Sequence, residues 1–250
     1  MGTVYLVGAG PGAADLLTVR AARLLARAEV VFHDALVEAD VLALAPGAEK
    51  IAVGKRCGAH SSSQRFINKR LVDAAARYET VVRLKGGDPM LFGRAQEEID
   101  ALVAAGVDVE IVPGVTAALA AAADLRVSLT RRGVARSVAF VTPRVGEGEA
   151  PHAWARAAAS ADTAVVYMGA GQAADVVAAL VAHGTPLATP VTVIENAGRA
   201  QSRHVAGRLQ DLPALAAERG RGPALIVVGE IAAATAATSL APRQALRTGT

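Results

Sequence analysis

The sequence predicts an α/β protein made of two α/β domains, and three observations carry that prediction. Short Val- and Ile-rich runs alternate with longer Ala- and Leu-rich segments along the chain, which is the signature of strands interleaved with helices and of mostly parallel strands. With 250 residues, 52% hydrophobic and 20% charged, the chain can bury a substantial core. The periodic pattern pauses at Pro113-Gly114 and again from Thr142 to Pro151, where Gly, Pro and Glu replace it.

Strands are expected near Val4 to Val7, Glu29 to Phe32, Lys50 to Val53, Thr80 to Leu84 and Val107 to Val112. A second series is expected near Val138 to Val141, Thr163 to Tyr167, Pro190 to Ile194, Arg203 to Ala206 and Ala224 to Val228. Among the helices between them one is well marked: Ser61 and Gln64 form a capping box, and Phe66, Ile67, Leu71 and Ala74 follow on one face. A boundary falls near residues 113 to 117, giving an N-terminal domain over 1–114, a C-terminal domain over 115–232 and a frayed tail over 233–250. No internal repeat is visible.

Composition excludes several classes of function. No run approaches the roughly 18 apolar residues of a membrane span, and the N-terminus lacks the features of a signal peptide, so a cytoplasmic location without membrane contact is expected. Cys57 is the only cysteine, which rules out an internal disulfide or a cysteine-based metal cluster. The five histidines show no paired ligand spacing, so no metal is expected. A net charge of +3 and 3% aromatic content argue against nucleic acid as a partner while leaving room for a small polyanion.

Three glycine-containing clusters follow strands. The first, Gly8-Ala9-Gly10-Pro11-Gly12-Ala13, matches a dinucleotide fingerprint, with Asp34 at the end of the second strand where a ribose-binding acid would sit. Pro11 argues against that reading, because it removes one N–H from the middle of a pyrophosphate cradle. A plain glycine turn explains Gly8 and Gly10 equally well. In the second, Arg83-Leu84-Lys85-Gly86-Gly87-Asp88-Pro89, the glycines admit a ligand close to the backbone, and Asp88 either offers a carboxylate to an amino group or cation, or caps the next helix. The third, Pro113-Gly114-Val115-Thr116-Ala117, leads into a small-residue helix that either lets a ligand approach or simply packs, with Thr116 as N-cap.

Taken in order, Gly8 to Gly12 with Leu16-Leu17-Thr18, Val53-Gly54-Lys55-Arg56, Gln64 with Ile67-Asn68, Arg83 to Gly93 with Glu97-Glu98, Pro113 to Ala117, Tyr167-Met168-Gly169 and Pro223 to Gly229 resemble the uroporphyrinogen-III C-methyltransferases of the tetrapyrrole methylase family. The resemblance runs from residue 4 to about 230. It implies a homodimer of two α/β domains, the first on the tetrapyrrole side, with S-adenosylmethionine in the cleft between them and no metal. The implied reaction is two successive methylations, at C2 and C7, converting uroporphyrinogen III to precorrin-2 for sirohaem or cobalamin synthesis.

Carried over by position, Pro11, Gly86, Gly87, Asp88, Leu91, Thr116, Ala117, Met168, Ala197 and Ala224 match residues around the methyl donor. Asp34 falls at the general-base position and Lys55 at the general-acid position, while Arg56, His60, Arg131 and Arg132 are candidates to hold substrate carboxylates. For Arg136 a solvated face and substrate contact are equally good readings. The chain departs from the family where His33-Asp34-Ala35 replaces Tyr-Asp-Arg, where Thr142-Pro143-Arg144 replaces a Gly-His ending, and where Ala197 replaces a glycine. A sibling precorrin methyltransferase would share the fold and donor site. From another class, an NAD(P)-dependent reductase is the competing reading, and Pro11 weighs against it.

Overall fold

The computed structural model describes residues 1–53, 64–146 and 153–237. Lys55, Arg56, His60 and the Ser61 half of the capping box lie outside these described residues. The chain divides into two compact units, Met1–Thr116 and Ala117–Thr250.

The first unit is a five-stranded sheet of β1 (Thr3–Gly8), β2 (Val30–His33), β3 (Glu49–Ala52), β4 (Thr80–Lys85) and β5 (Val109–Val112), with α1 (Val19–Arg27), α2 (Ala39–Ala43), α3 (Gln64–Ala75) and α4 (Ala95–Ala104) between them. Strand order is β3-β2-β4-β1-β5 and every pairing is parallel. Apolar residues cover both faces, as a parallel sheet requires. Val4, Leu6, Val30, Phe32 and Val81 pack with Ile67 and Leu71 of α3 and Leu102 of α4. Val7, Val31, Val82 and Leu84 pack with Leu24 and Leu25 of α1. Thr18 caps α1, its Oγ1 accepting from the Ala21 N–H at 3.1 Å.

The second unit contains β6 (Val138–Val141), β7 (Thr163–Tyr167), β8 (Pro190–Glu195), β9 (Arg203–Arg208) and β10 (Ala224–Val228) in the order β6-β7-β10-β8-β9, with α5 (Ala117–Leu125), α6 (Trp154–Ser160), α7 (Ala173–Ala182) and α8 (Leu212–Ala217). All ten expected strands are present. The expectation of mostly parallel strands, however, fails for this sheet, where only β6 and β7 are parallel and the other three pairings are antiparallel. For β8 and β9 the reason is visible: residues 196–202 join them with too little chain for a crossover, and a short link forces antiparallel pairing.

Two other expectations need correction. Phe66 is exposed and lies off the core face of α3, where the Arg70 guanidinium stacks at 5.6 Å from its ring centroid. The stretch expected to fray beyond Ala232 is a 3-10 helix as far as Ala237. It is anchored by buried Thr235, whose Oγ1 donates to the Ala232 carbonyl and shares a 2.6 Å hydrogen bond with Thr192 on β8. No helix among the described residues is long and apolar enough to cross a membrane.

At the C-terminal ends of β1, β4 and β5 the backbone itself is packed. A Cβ on Gly8 would lie 2.6 Å from the Gly114 Cα, and a Cβ on Gly114 would lie 2.3 Å from the Gly87 carbonyl oxygen. Only hydrogen fits there. Gly114→Ala is therefore expected to lower unfolding free energy by about 1–3 kcal/mol through overpacking. Gly47→Ala, where nothing lies within 4 Å of the added carbon, should change it by less than about 0.5 kcal/mol. Urea denaturation of the two variants checks the contrast.

Candidate active site

The strand ends of the first unit carry its unusual chemistry. Gly10 and Gly87 form an isolated bridge, the Gly87 N–H donating to the Gly10 carbonyl at 2.7 Å and the Gly10 N–H to the Gly87 carbonyl at 3.2 Å. That bridge brings buried Pro11 and the Gly86-Gly87-Asp88 turn together. It also spends the Gly10 N–H that a pyrophosphate would need. The first α-helix begins only at Val19, so no α-helical N-terminus stands at the glycines. The dinucleotide reading of this loop therefore finds no support in its geometry.

Asp88 ties backbone on both sides of its turn. Its Oδ1 accepts from the Met90 N–H at 2.8 Å and its Oδ2 from the Gly114 N–H at 2.9 Å. The carboxylate thus fastens the β4 end to the β5 end and shapes the turn that holds Leu91. It does not cap α4, which starts at Ala95. The Gly114 tie also sets the path leading to Thr116. Gly87 has φ +70° and open space around the position a Cβ would occupy, so a ligand can approach this backbone directly.

Asp34 follows β2 directly, beside β4. Arg83 Nη2 donates to Asp34 Oδ1 at 2.6 Å, and none of the described residues bonds Oδ2. Arg83 and Lys85 sit two residues apart on β4 and so share a sheet face, where Glu98 of α4 meets both: Arg83 Nε lies 3.1 Å from Oε1 and Lys85 Nζ 2.9 Å from Oε2. Relative exposures are 2% for Arg83, 3% for Lys85 and 0% for Glu98. Burial works against the Arg83 charge, but Asp34 and Glu98 more than offset it and raise its pKa. For Lys85, burial and then the neighbouring Arg83 prevail over Glu98 and lower the pKa below the ordinary lysine value. The cluster is neutral, with two cations and two carboxylates. Sequence reasoning passed over Arg83, Lys85 and Glu98 as site residues. The available signal was a pair of cations at alternate positions of an apolar strand, together with a glutamate at the core-facing spacing of Ala95 and Leu102.

In the second unit, Met168 and Asn196 have φ of 56°, in the left-handed region. Phe92 and Arg94 of the first unit, at 54° and 56°, are likewise left-handed. Non-glycine residues in that region concentrate at functional sites; of the five among the described residues, Phe92, Met168 and Asn196 stand at or beside the expected donor positions Leu91, Met168 and Ala197, while Arg94 and Arg126 do not. The Tyr167 hydroxyl accepts from the Ala118 N–H at 3.1 Å, which draws the start of α5, with Ala117, toward the end of β7 and Met168. The Asn196 N–H donates to the Pro223 carbonyl at 2.9 Å and the Gly198 N–H to Asp124 Oδ2 at 2.7 Å, fixing Ala197 beside the start of β10 at Ala224.

Glu195, buried at the end of β8, accepts from the N–H groups of Gly220 at 3.0 Å and Gly222 at 2.7 Å and from Arg203 Nε. Arg131 and Arg132 are exposed on a turn closed by the Arg131 and Ala135 backbones, and no described contact joins them to the other site residues. Arg136 is exposed as well, its backbone N–H donating to Asp162.

Comparisons with known proteins agree in kind. The family model for tetrapyrrole (corrin/porphyrin) methylases matches residues 3–213. Siroheme synthase 1 of Klebsiella pneumoniae is 48% identical over 231 residues, 92% of this chain and 49% of that protein. The chain thus spans about half the length of the curated relatives it matches. A crystal structure of the uroporphyrin-III C-methyltransferase of Thermus thermophilus, complexed with S-adenosylhomocysteine, is 43% identical with a TM-score of 0.81 and covers 92% of this chain and 98% of the other. A cobalt precorrin-4 methyltransferase is 31% identical, with a TM-score of 0.80 and coverage of 92% and 95%.

The Glu195 latch yields a pH dependence. Burial raises its pKa, but the Gly220 N–H, Arg203 and the Gly222 N–H outweigh burial and hold it below the ordinary 4.5. Its contribution to stability is complete above that value and is lost as pH falls through the lowered folded pKa. Glu195→Gln should therefore be less stable than the parent near pH 7, and the gap should close on acidification below 4.5. Urea midpoints measured across that range provide the check, and parallel curves would contradict it.

Proposed function

The chain belongs to the tetrapyrrole (corrin/porphyrin) methylase family, and on that premise we propose that it methylates two ring carbons of uroporphyrinogen III with S-adenosylmethionine, yielding precorrin-2 for sirohaem or cobalamin synthesis. The observation that carries this reading is the match along 98% of the Thermus uroporphyrin-III enzyme, crystallised with S-adenosylhomocysteine. Identity to that enzyme exceeds identity to the precorrin-4 enzyme, 43% against 31%, which favours the first methylation of the series over a later one. We further propose a homodimer acting in the cytoplasm, a reading supported by the family resemblance.

The donor supplies an electrophilic methyl group. Gly86 and Gly87 would hold it by their backbone, with Pro11, Leu91, Thr116, Ala117, Met168, Ala197 and Ala224 around it, and the strained positions and the open space at Gly87 suit such a ligand. Asp88 contributes by keeping the Gly86-Gly87 turn in place rather than through a free carboxylate. As a pyrrole carbon bonds to the methyl carbon, the C–S electron pair stays on sulfur and the ring becomes cationic. The ring then loses a proton. Asp34 is suited to take it, because its Oδ1 is fixed by Arg83 while Oδ2 has no partner among the described residues. Lys55 would return a proton or hold a substrate carboxylate, assisted by Arg56 and His60, with Arg131 and Arg132 as further carboxylate contacts.

S-adenosylhomocysteine should raise the melting temperature, NAD should not, and Gly87→Val should abolish the shift, since a β-branched residue at φ +70° is strained and occupies the open space. Asp34→Asn should slow single-turnover methyl transfer by roughly 100- to 10,000-fold while calorimetric affinity for S-adenosylhomocysteine stays near the parental value. Transfer at the parental rate in that variant would remove Asp34 from the role of base.

A further inference from the structure

One fully buried charge is not used by the proposed chemistry. Glu98 exposes no surface, yet each of its oxygens is engaged: Oε1 accepts from Arg83 Nε and from Gln64 Nε2, both at 3.1 Å, and Oε2 accepts from Lys85 Nζ at 2.9 Å. Core stability does not call for such an arrangement, because well-packed apolar residues in place of a buried ion cluster are often as stable or more so. What a charged cluster adds is direction. A guanidinium is a rigid planar fork, so fixing two of its nitrogens fixes the third. Here Nε is held by Glu98, Nη1 donates to the Leu84 carbonyl at 3.2 Å, and Nη2 is thereby aimed at Asp34 Oδ1, 2.6 Å away.

We infer that Glu98 is a positioning residue: acting through Arg83, it fixes the Asp34 carboxylate so that the second oxygen meets the proton leaving the methylated ring. Lys85 is the counter-charge that keeps the buried cluster neutral. The inference rests on the proposed role of Asp34 as base. Neither Glu98 nor Lys85 needs to touch substrate or donor.

The test is a double-mutant cycle on the full chain, with uroporphyrinogen III and labelled S-adenosylmethionine. Glu98→Gln alone leaves two cations facing one carboxylate, so the main variant is Glu98→Gln combined with Lys85→Met. That pair retains the Arg83 cation and the Asp34 carboxylate and stays neutral. Its single-turnover rate should fall by up to about 100-fold, the scale of a misplacement near 1 Å, with KM for uroporphyrinogen III and S-adenosylhomocysteine affinity little changed. Added to Asp34→Asn, the same pair should cause no further fall, since residues acting as one unit are not additive. Gln64→Ala, which removes a neutral donor from Glu98 Oε1, gives a second vehicle and should show a smaller fall that also vanishes in the Asp34→Asn background.

A folded pair with the parental rate, or equal falls in the two backgrounds, overturns the positioning role. Loss of donor affinity in parallel with rate would do the same, by making the cluster a general support of the fold. Asp34→Asn at the parental rate would instead remove the base reading itself, so the two failures are distinct.

Discussion

A carboxylate at Glu98 with no exposed surface can persist in the core only because Arg83 and Lys85 reach it from one face of β4. Removing one partner from a buried pair costs roughly 3–5 kcal/mol, because the other charge is left without compensation. The cluster also dictates register. A one-residue slip of β4 would turn both cations toward the face that Val82 and Leu84 occupy, among the apolar residues over α1. With β4 pinned, Gly87 stands opposite Gly10 and Asp88 reaches the Gly114 N–H. The arrangement of three strand ends in the first unit thus follows from one charge cluster behind them.

The second unit reaches a comparable result by different means. Its sheet is largely antiparallel, yet two of its left-handed residues again follow strands, Met168 after β7 and Asn196 after β8, while Arg126 follows α5. Glu195 substitutes for a longer hydrogen-bonded turn by gathering two backbone N–H groups and one guanidinium. In both units an acidic side chain whose oxygens are satisfied mainly by backbone donors (Asp88 in one, Glu195 in the other) holds a loop in a fixed conformation. These carboxylates are structural reagents, spent on shaping main chain.

Much of this architecture was legible in the sequence, and the exceptions have physical causes. Eight of the ten strands were readable as compact runs rich in β-branched residues, whereas β3 (Glu49–Ala52) and β9 (Arg203–Arg208) carry one such residue each. Strand direction in the second sheet was not readable, since an apolar run carries no mark of its neighbour's polarity and only the brevity of residues 196–202 hints at a hairpin. Phe66 misled because period-3.6 counting cannot distinguish a core position from an exposed ring stacked on Arg70. The Gly86-Gly87-Asp88 turn was recognisable as a special loop, but the use of Asp88 depends on Gly114, which is 26 residues away. The proposal of Asp34 as base came through family resemblance. The cations behind it were not sought, because Arg83 and Lys85 read as part of a motif rather than as a violation of an apolar strand.

The backbone packing at Gly8, Gly87 and Gly114 bears on how this protein can change over evolutionary time. With no room for a β-carbon at Gly8 or Gly114, the strands there meet backbone to backbone, and point mutation at those two positions has almost no vocabulary with which to edit the contact. Drift toward a new specificity must therefore enter at the rim, at exposed side chains such as Leu36, which lies against Gly86. A designer seeking altered selectivity would vary that rim and leave Gly8 and Gly114 untouched, as residues whose replacement is resisted by backbone on every side.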